Sequence, residues 1–264
     1  MTYRQRLGAA VSARGNLCVG IDPMPSVLAA WGVAADVNGL ERVARGIVER
    51  LGTRAAVFKP QSAFFEPFGS AGIAVLERVL ADIREAGALS ILDVKRGDIG
   101  SSMDGYATAY LAEGAPLAAD AITLSPYLGV RTLTPAFELA KVHGRGIYVL
   151  ARTSNPGGGH VQGAITDAGT SVAQHVLDEL DRLNPEHDGL LGAVLGATHH
   201  DLGCDPSGFT GSILAPGIGA QGATMGDLAR TFGAALGNVL PTASRQVIGG
   251  GPEELFSRFE ELLS

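Results

Sequence analysis

Eight short apolar runs alternate with helix-like segments along the whole chain, and this alternation constrains the fold more than any other feature. The runs are LCVGI (17–21), AAVFK (55–59), LSILDV (89–94), AITL (121–124), GIYVLA (146–151), GAVLG (192–196), SILA (212–215) and NVLP (238–241). They are short and mostly apolar on both faces, as expected of parallel strands covered by helices. Between them, 71–86 places Ile73, Leu76, Val79, Leu80 and Ile83 at helical spacing, and 167–183 does the same with Val172, Val176, Leu177 and Leu180. Leu255, Phe256, Phe259 and Leu262 form a last apolar stripe, with Pro252 and Glu253 suited to its first turn. The stretch 198–210, rich in Gly, Asp and Pro, reads as a loop with a short helix at most.

No proline- or serine-rich linker interrupts the series, and no internal repeat at a solenoid period is evident. The expected class is α/β, and the simplest closed solution is a (β/α)8 TIM barrel spanning 1–264 as a single domain, since such barrels typically take about 250 residues. A doubly wound open sheet is the alternative, lowered by the lack of G-x-G-x-x-G after the first run. A hydrophobic share of 46% supports the large core a barrel needs. The 37 glycines are scattered, so they read as turns and sites of close backbone approach.

The formal net charge is −7 and no basic run of five residues occurs, which argues against a nucleic-acid partner. A local cluster of cations can still hold a small anionic ligand. Cys18 and Cys204 are not closely spaced, and the histidines near Cys204 lack a second cysteine at zinc spacing, so both read as reduced thiols. The first twenty residues contain no long apolar segment and no run reaches a membrane span, so a cytoplasmic protein with no membrane partner is expected.

In a barrel, chemistry sits at the C-terminal ends of the strands. Here those ends carry Asp22, Lys59, Asp93 with Lys95, Ser125, Ser154, the loop PGIGAQG (216–222) and Arg245. Asp93 and Lys95 are two apart and therefore share one face of a strand. Asp98 follows three residues later, so the lysine is expected between two carboxylates, which favour its protonated form. A protonated lysine is a proton donor, not a Schiff-base nucleophile. Lys59 adds a second cation from the neighbouring strand end. A structural ion-pair network is the bland reading of this set, but Asp22 and Lys59 on adjacent strand ends favour a site.

The glycines of Pro216–Gly222 let backbone N–H groups approach an anion, and Arg245 after the last strand is placed to clamp the same group. Phosphate sites of such barrels lie after strands 7 and 8, where these residues fall. In RTSNPGGGH (152–160), Ser154 and Asn155 suit a lid or a polar grip on a ring. His160, His175 and His187 read as surface residues. His199 and His200 are adjacent and point apart on any regular element, so no metal site is expected there.

The segment LDVKRGDIGSS (92–102), with VGIDP (19–23), FKPQSAFFE (58–66), TSNPG (153–157), PGIGAQG (216–222) and Ser244–Arg245 in that order, resembles the orotidine 5′-phosphate decarboxylases in their longer bacterial form. The resemblance runs from Gly20 to Arg245. It implies decarboxylation of orotidine 5′-monophosphate to uridine 5′-monophosphate in de novo pyrimidine biosynthesis, with no metal and no organic cofactor. It implies that Asp22 and Lys59 hold the ribose hydroxyls, Asp93 sits against the substrate carboxylate, and Lys95 delivers a proton to C6. Ser154 would grip the pyrimidine, Gln221 and Arg245 would bind the phosphate, and Pro216 and Gly222 would belong to the substrate-binding set. Asp98 and Ser102 would reach into the site of a partner subunit, making a homodimer with shared active sites. Two departures from the family pattern stand out. Ser102 replaces a threonine, and Gly222-Ala223 follows Gln221 where Gly-Gly is usual.

Three other readings compete. A metal-dependent sugar-phosphate enzyme would want an acid at the end of the second strand, where Lys59-Pro60-Gln61 stands. A phosphate-binding barrel without catalysis has no need of Lys95 beside aspartates. A Schiff-base aldolase would use Lys95 as a neutral amine.

Overall fold

The structure is a computed structural model and describes residues 1–263. Eight parallel strands close into a barrel in sequence order. They are β1 (Cys18–Ile21), β2 (Val57–Pro60), β3 (Leu89–Arg96), β4 (Ala121–Leu124), β5 (Gly146–Arg152), β6 (Leu191–Leu195), β7 (Ile213–Pro216) and β8 (Val239–Ala243). Pairing of Cys18 with Thr242 and Val19 with Ala243 joins β1 to β8 and closes the ring. All eight expected runs are strands, each end within two residues of its sequence position. Closure removes both sheet edges, which an open doubly wound sheet would have kept.

The expected helix at 71–86 is observed as Gly69–Glu85. The one expected at 167–183 starts later, at Val172, because Ser171 caps it, its Oγ accepting from Gln174 N–H at 3.0 Å. The last helix is Leu255–Leu263, and Pro252 and Glu253 lie in a turn before it, not in its first turn. The connection from β6 to β7 contains no helix; Asp201 and Asp205 instead accept from Gly203 N–H and Ser207 N–H and turn the chain locally.

One helix has no apolar stripe to mark it in the sequence. This helix, Tyr3–Arg14, lies across the N-terminal end of the barrel, with only Tyr3 and Leu7 buried. Tyr3 Oη reaches Tyr148 Oη inside the barrel at 3.1 Å, Arg6 pairs with Asp120, and Arg14 donates to Gly52 O at 2.8 Å. His187, expected at the surface, is buried instead. Its ring meets Leu183 O at 2.9 Å and Glu138 at 3.2 Å and packs edge-on against Phe137.

The core has two layers. An outer layer packs Val19, Phe58 and Leu92 of the strands with Leu40, Ile47, Leu76 and Val79 of the helices. An inner layer fills the barrel with Cys18, Val57, Ile91, Tyr148, Val194, Leu214 and Leu240. Because strand side chains alternate, each inward residue sets the direction of the one two places further on. Two positions past Val57 comes Lys59, and two past Ile91 comes Asp93, so both charges enter the barrel from its C-terminal end. No helix among the described residues is long and apolar enough to cross a membrane.

Candidate active site

A cavity of about 460 Å³ opens at the C-terminal ends of the strands. Asp93 is its hub. One carboxylate oxygen, Oδ2, accepts from Lys59 Nζ at 2.8 Å and Gln61 Nε2 at 3.0 Å. The other, Oδ1, accepts from Lys95 Nζ at 2.7 Å and Thr123 Oγ1 at 2.7 Å. Burial opposes ionisation of Asp93, but Lys59 and Lys95 outweigh it and hold the carboxyl well below the usual carboxylate range. For Lys59 burial alone would favour the neutral amine. The carboxylates of Asp93 and Asp22 reverse that and hold the ammonium above its ordinary value. The centre is therefore a buried carboxylate between two cations, fixed by four donors.

Lys95 differs from Lys59 in exposure. Its side chain is 44% exposed, against 7% for Lys59, so the ammonium faces the cavity. Its backbone is in the left-handed region at φ 46°, costly for a residue with a side chain. The pairing of β3 with β4 shifts register between Leu92 and Arg96, and Lys95 lies in that irregularity.

Asp22 lines the cavity with one carboxylate oxygen, Oδ1, that is buried and has no hydrogen-bond partner among the described residues. Thr242 Oγ1 and Ser244 Oγ, also on the lining, are in the same condition. Buried polar atoms are nearly always satisfied, so this group is suited to a hydroxyl-rich ligand.

On the far wall, Pro216, Gly217, Ile218, Ala220, Gln221 and Arg245 line the cavity. The loop folds on itself, Gly219 N–H donating to Ala223 O at 2.7 Å and Gly222 N–H to Gly219 O at 2.8 Å. Gly222, at φ 99°, bends the loop but does not line the cavity. Arg245 has no ion-pair partner among the described residues, so its charge is open to an anion.

Ser154 stands on the third side, where the chain leaves β5. That exit is held from two directions. Gln162 accepts from Thr153 N–H at 3.0 Å and donates to Thr153 Oγ1 at 2.7 Å. Thr198 Oγ1 donates to Ser154 O at 3.2 Å, and His199 Nε2 to Thr153 O at 2.8 Å. Gly196 leaves room for the exit, since a Cβ there would fall 2.7 Å from Ser154 N.

The structure thus brings together Asp22, Lys59, Asp93, Lys95, Ser154, Pro216, Gln221 and Arg245. It leaves out Asp98, Ser102 and Ser125, none of which lines the cavity. The expected lysine between two carboxylates is corrected: within the chain, Lys95 pairs with Asp93 alone, and Asp98 turns back to accept from Ile99 N–H at 2.8 Å. Sequence reasoning passed over Gln61, Thr123 and Gln162. Gln61 sits one residue past a strand end and was readable there; Thr123 looks like β-branched filler, and Gln162 is hidden in a glycine-rich loop sequence.

Comparison with known proteins identifies relatives along the whole chain. Residues 15–254 match the model of the orotidine 5′-phosphate decarboxylase / HUMPS family. An orotidine 5′-phosphate decarboxylase of Salinispora arenicola is 54% identical over 254 residues, covering 96% of this chain and 91% of that relative. The crystal structure of a Streptomyces avermitilis protein assigned to the same activity superimposes with a TM-score of 0.93 at 50% identity, covering 99% of this chain and 93% of that one. The OMP decarboxylase of Leishmania donovani is more distant, at 28% identity and a TM-score of 0.80, covering 100% of this chain and 96% of the other.

Proposed function

We propose how the site works from one premise: the chain belongs to the orotidine 5′-phosphate decarboxylase family and converts orotidine 5′-monophosphate to uridine 5′-monophosphate, a carbon–carbon lyase step in pyrimidine biosynthesis. The whole chain acts as one catalytic barrel. The phosphate sits between Gln221 and Arg245, supported by the glycine loop and the uncompensated guanidinium. The ribose hydroxyls meet Asp22 and Lys59, which supplies the partner that Asp22 Oδ1 lacks. Ser154 reads the pyrimidine from the β5 exit.

This seating directs C6 and its carboxylate toward Asp93 and Lys95. The C6–carboxylate bond breaks, carbon dioxide leaves, and the electron pair stays on C6. The Lys95 ammonium stabilises that charge and then gives it a proton, forming the C6–H bond. Lys95 is left as a neutral amine and recovers its proton from solvent. Asp93 stays ionised because two cations hold it so, and its four donors prevent it from turning away. Its charge therefore faces the substrate carboxylate in the ground state and loses that repulsion as carbon dioxide departs. No step needs a metal or an organic cofactor.

The reaction is expected in the cytoplasm. Asp98 and Ser102 do not line this cavity, and Ser102 and the neighbouring Ile99 are exposed, which suits a role in a neighbouring subunit of a homodimer. The observation that carries the mechanism is the 2.7 Å contact between Lys95 Nζ and Asp93 Oδ1 at an open cavity. The test is the ultraviolet absorbance of orotidine 5′-monophosphate mixed with the protein and EDTA. Decay to the product spectrum at an unchanged rate supports the metal-free mechanism. Activity that EDTA abolishes and Mg²⁺ restores contradicts it.

A further inference from the structure

Thr123 is 1% exposed, lies on β4, and lines the cavity. Its hydroxyl makes two contacts with the reacting centre. Oγ1 donates to Asp93 Oδ1 at 2.7 Å and accepts from Lys95 N–H at 3.0 Å. A hydroxyl has one hydrogen, and its partners fix where it goes: the carboxylate only accepts and the amide only donates.

The second contact answers a backbone problem. Leu92 pairs with Ile122 and Arg96 with Leu124, so the β3 side of the ladder is two residues longer than the β4 side. Residues in such an irregularity lose their ladder partners. Lys95 lies within it at φ 46°, and its N–H donates to the Thr123 side chain. Thr123 therefore holds the strained backbone of the lysine with one lone pair and the rotamer of Asp93 with its hydrogen.

Resting on the proposed roles of Asp93 and Lys95, we infer that Thr123 is a positioning residue for the decarboxylation. It sets the carboxylate and the ammonium relative to each other through a single oxygen. It touches no reacting atom of the substrate, so its loss acts on turnover and not on nucleotide binding.

Thr123→Val keeps the shape and removes the hydroxyl, while Thr123→Ser keeps the hydroxyl. With Thr123→Val, kcat falls about a hundredfold, as small misplacements of reacting groups do, while the dissociation constant for uridine 5′-monophosphate stays within about twofold. Thr123→Ser recovers kcat to within about threefold of the parent. The inference is overturned if Thr123→Val keeps the parent kcat, if the serine and valine variants are equally slow, or if nucleotide affinity falls as far as kcat does. Should Thr123→Val not fold, Thr123→Ala against Thr123→Ser gives the same comparison. Lys95→Ala is measured alongside. An active Lys95→Ala overturns the underlying mechanism, whereas an inactive one with a fully active Thr123→Val overturns the role of Thr123 alone.

Discussion

Lys59 Nζ lies 2.8 Å from Asp93 Oδ2, and neither side chain is more than 8% exposed. Breaking a buried pair by removing one partner leaves an uncompensated charge, which typically costs about 3–5 kcal/mol. Lys59→Met is expected to fall in that range, because Asp93 keeps Lys95 but loses its more deeply buried cation. Urea unfolding at neutral pH measures it. A loss below about 1 kcal/mol would mean the pair is no more than a surface contact.

The same pair gives a pH dependence. The Asp93 carboxyl is held well below its ordinary value, so the folded chain binds fewer protons there than the unfolded chain. Its contribution to stability is complete above the unfolded carboxylate value near 4 and is lost as pH falls toward the folded one. For Lys59, held above its ordinary value, the contribution is complete below about 10 and is lost as pH rises through the folded value. Urea unfolding from pH 5 to 2 should show a steeper loss for the parent than for Asp93→Asn. Parallel curves would contradict the assignment.

Arg245 is the cation left for the phosphate. Arg245→Ala should weaken uridine 5′-monophosphate by about a hundredfold, in the range for lost charge-assisted hydrogen bonds, and leave uridine unaffected. Calorimetric titration with both ligands checks this. Equal effects on both would place the phosphate elsewhere.

Gly196 leaves the space that the β5 exit needs on the pyrimidine side. A methyl at this position would press on Ser154 Cα and N, each 2.7 Å away. Gly196→Ala should raise KM for orotidine 5′-monophosphate by about tenfold through displacement of the β5 exit. Steady-state kinetics decide it, and an unchanged KM would remove Ser154 from the pyrimidine.

Most of the barrel and half of the site were legible because both obey period-two alternation. Once Ile91 is inside, Asp93 must be, and the same counting places Lys59 after Val57. Alternation cannot show which side chains of other strands meet the charges. Thr123 is one of many β-branched residues, and only the register of β3 on β4 reveals its hydroxyl beside Asp93 and Lys95. The helix Tyr3–Arg14 was hidden for a different reason: it docks through Tyr3, Arg6 and Arg14 and not through an apolar stripe. Asp98 follows Lys95 closely in sequence, but within the chain its carboxylate accepts from Ile99 N–H and makes no ion pair with Lys95 among the described residues.

At the centre of the mechanism, Lys95 stabilises and protonates the C6 carbanion. The most direct test is the turnover of orotidine 5′-monophosphate by Lys95→Ala, with uridine 5′-monophosphate affinity measured on the same preparation. Loss of the ammonium should lower kcat by about a thousandfold or more while the variant still folds and binds the nucleotide. A folded variant that turns over within about tenfold of the parent would show that the proton, and the stabilisation, come from another group.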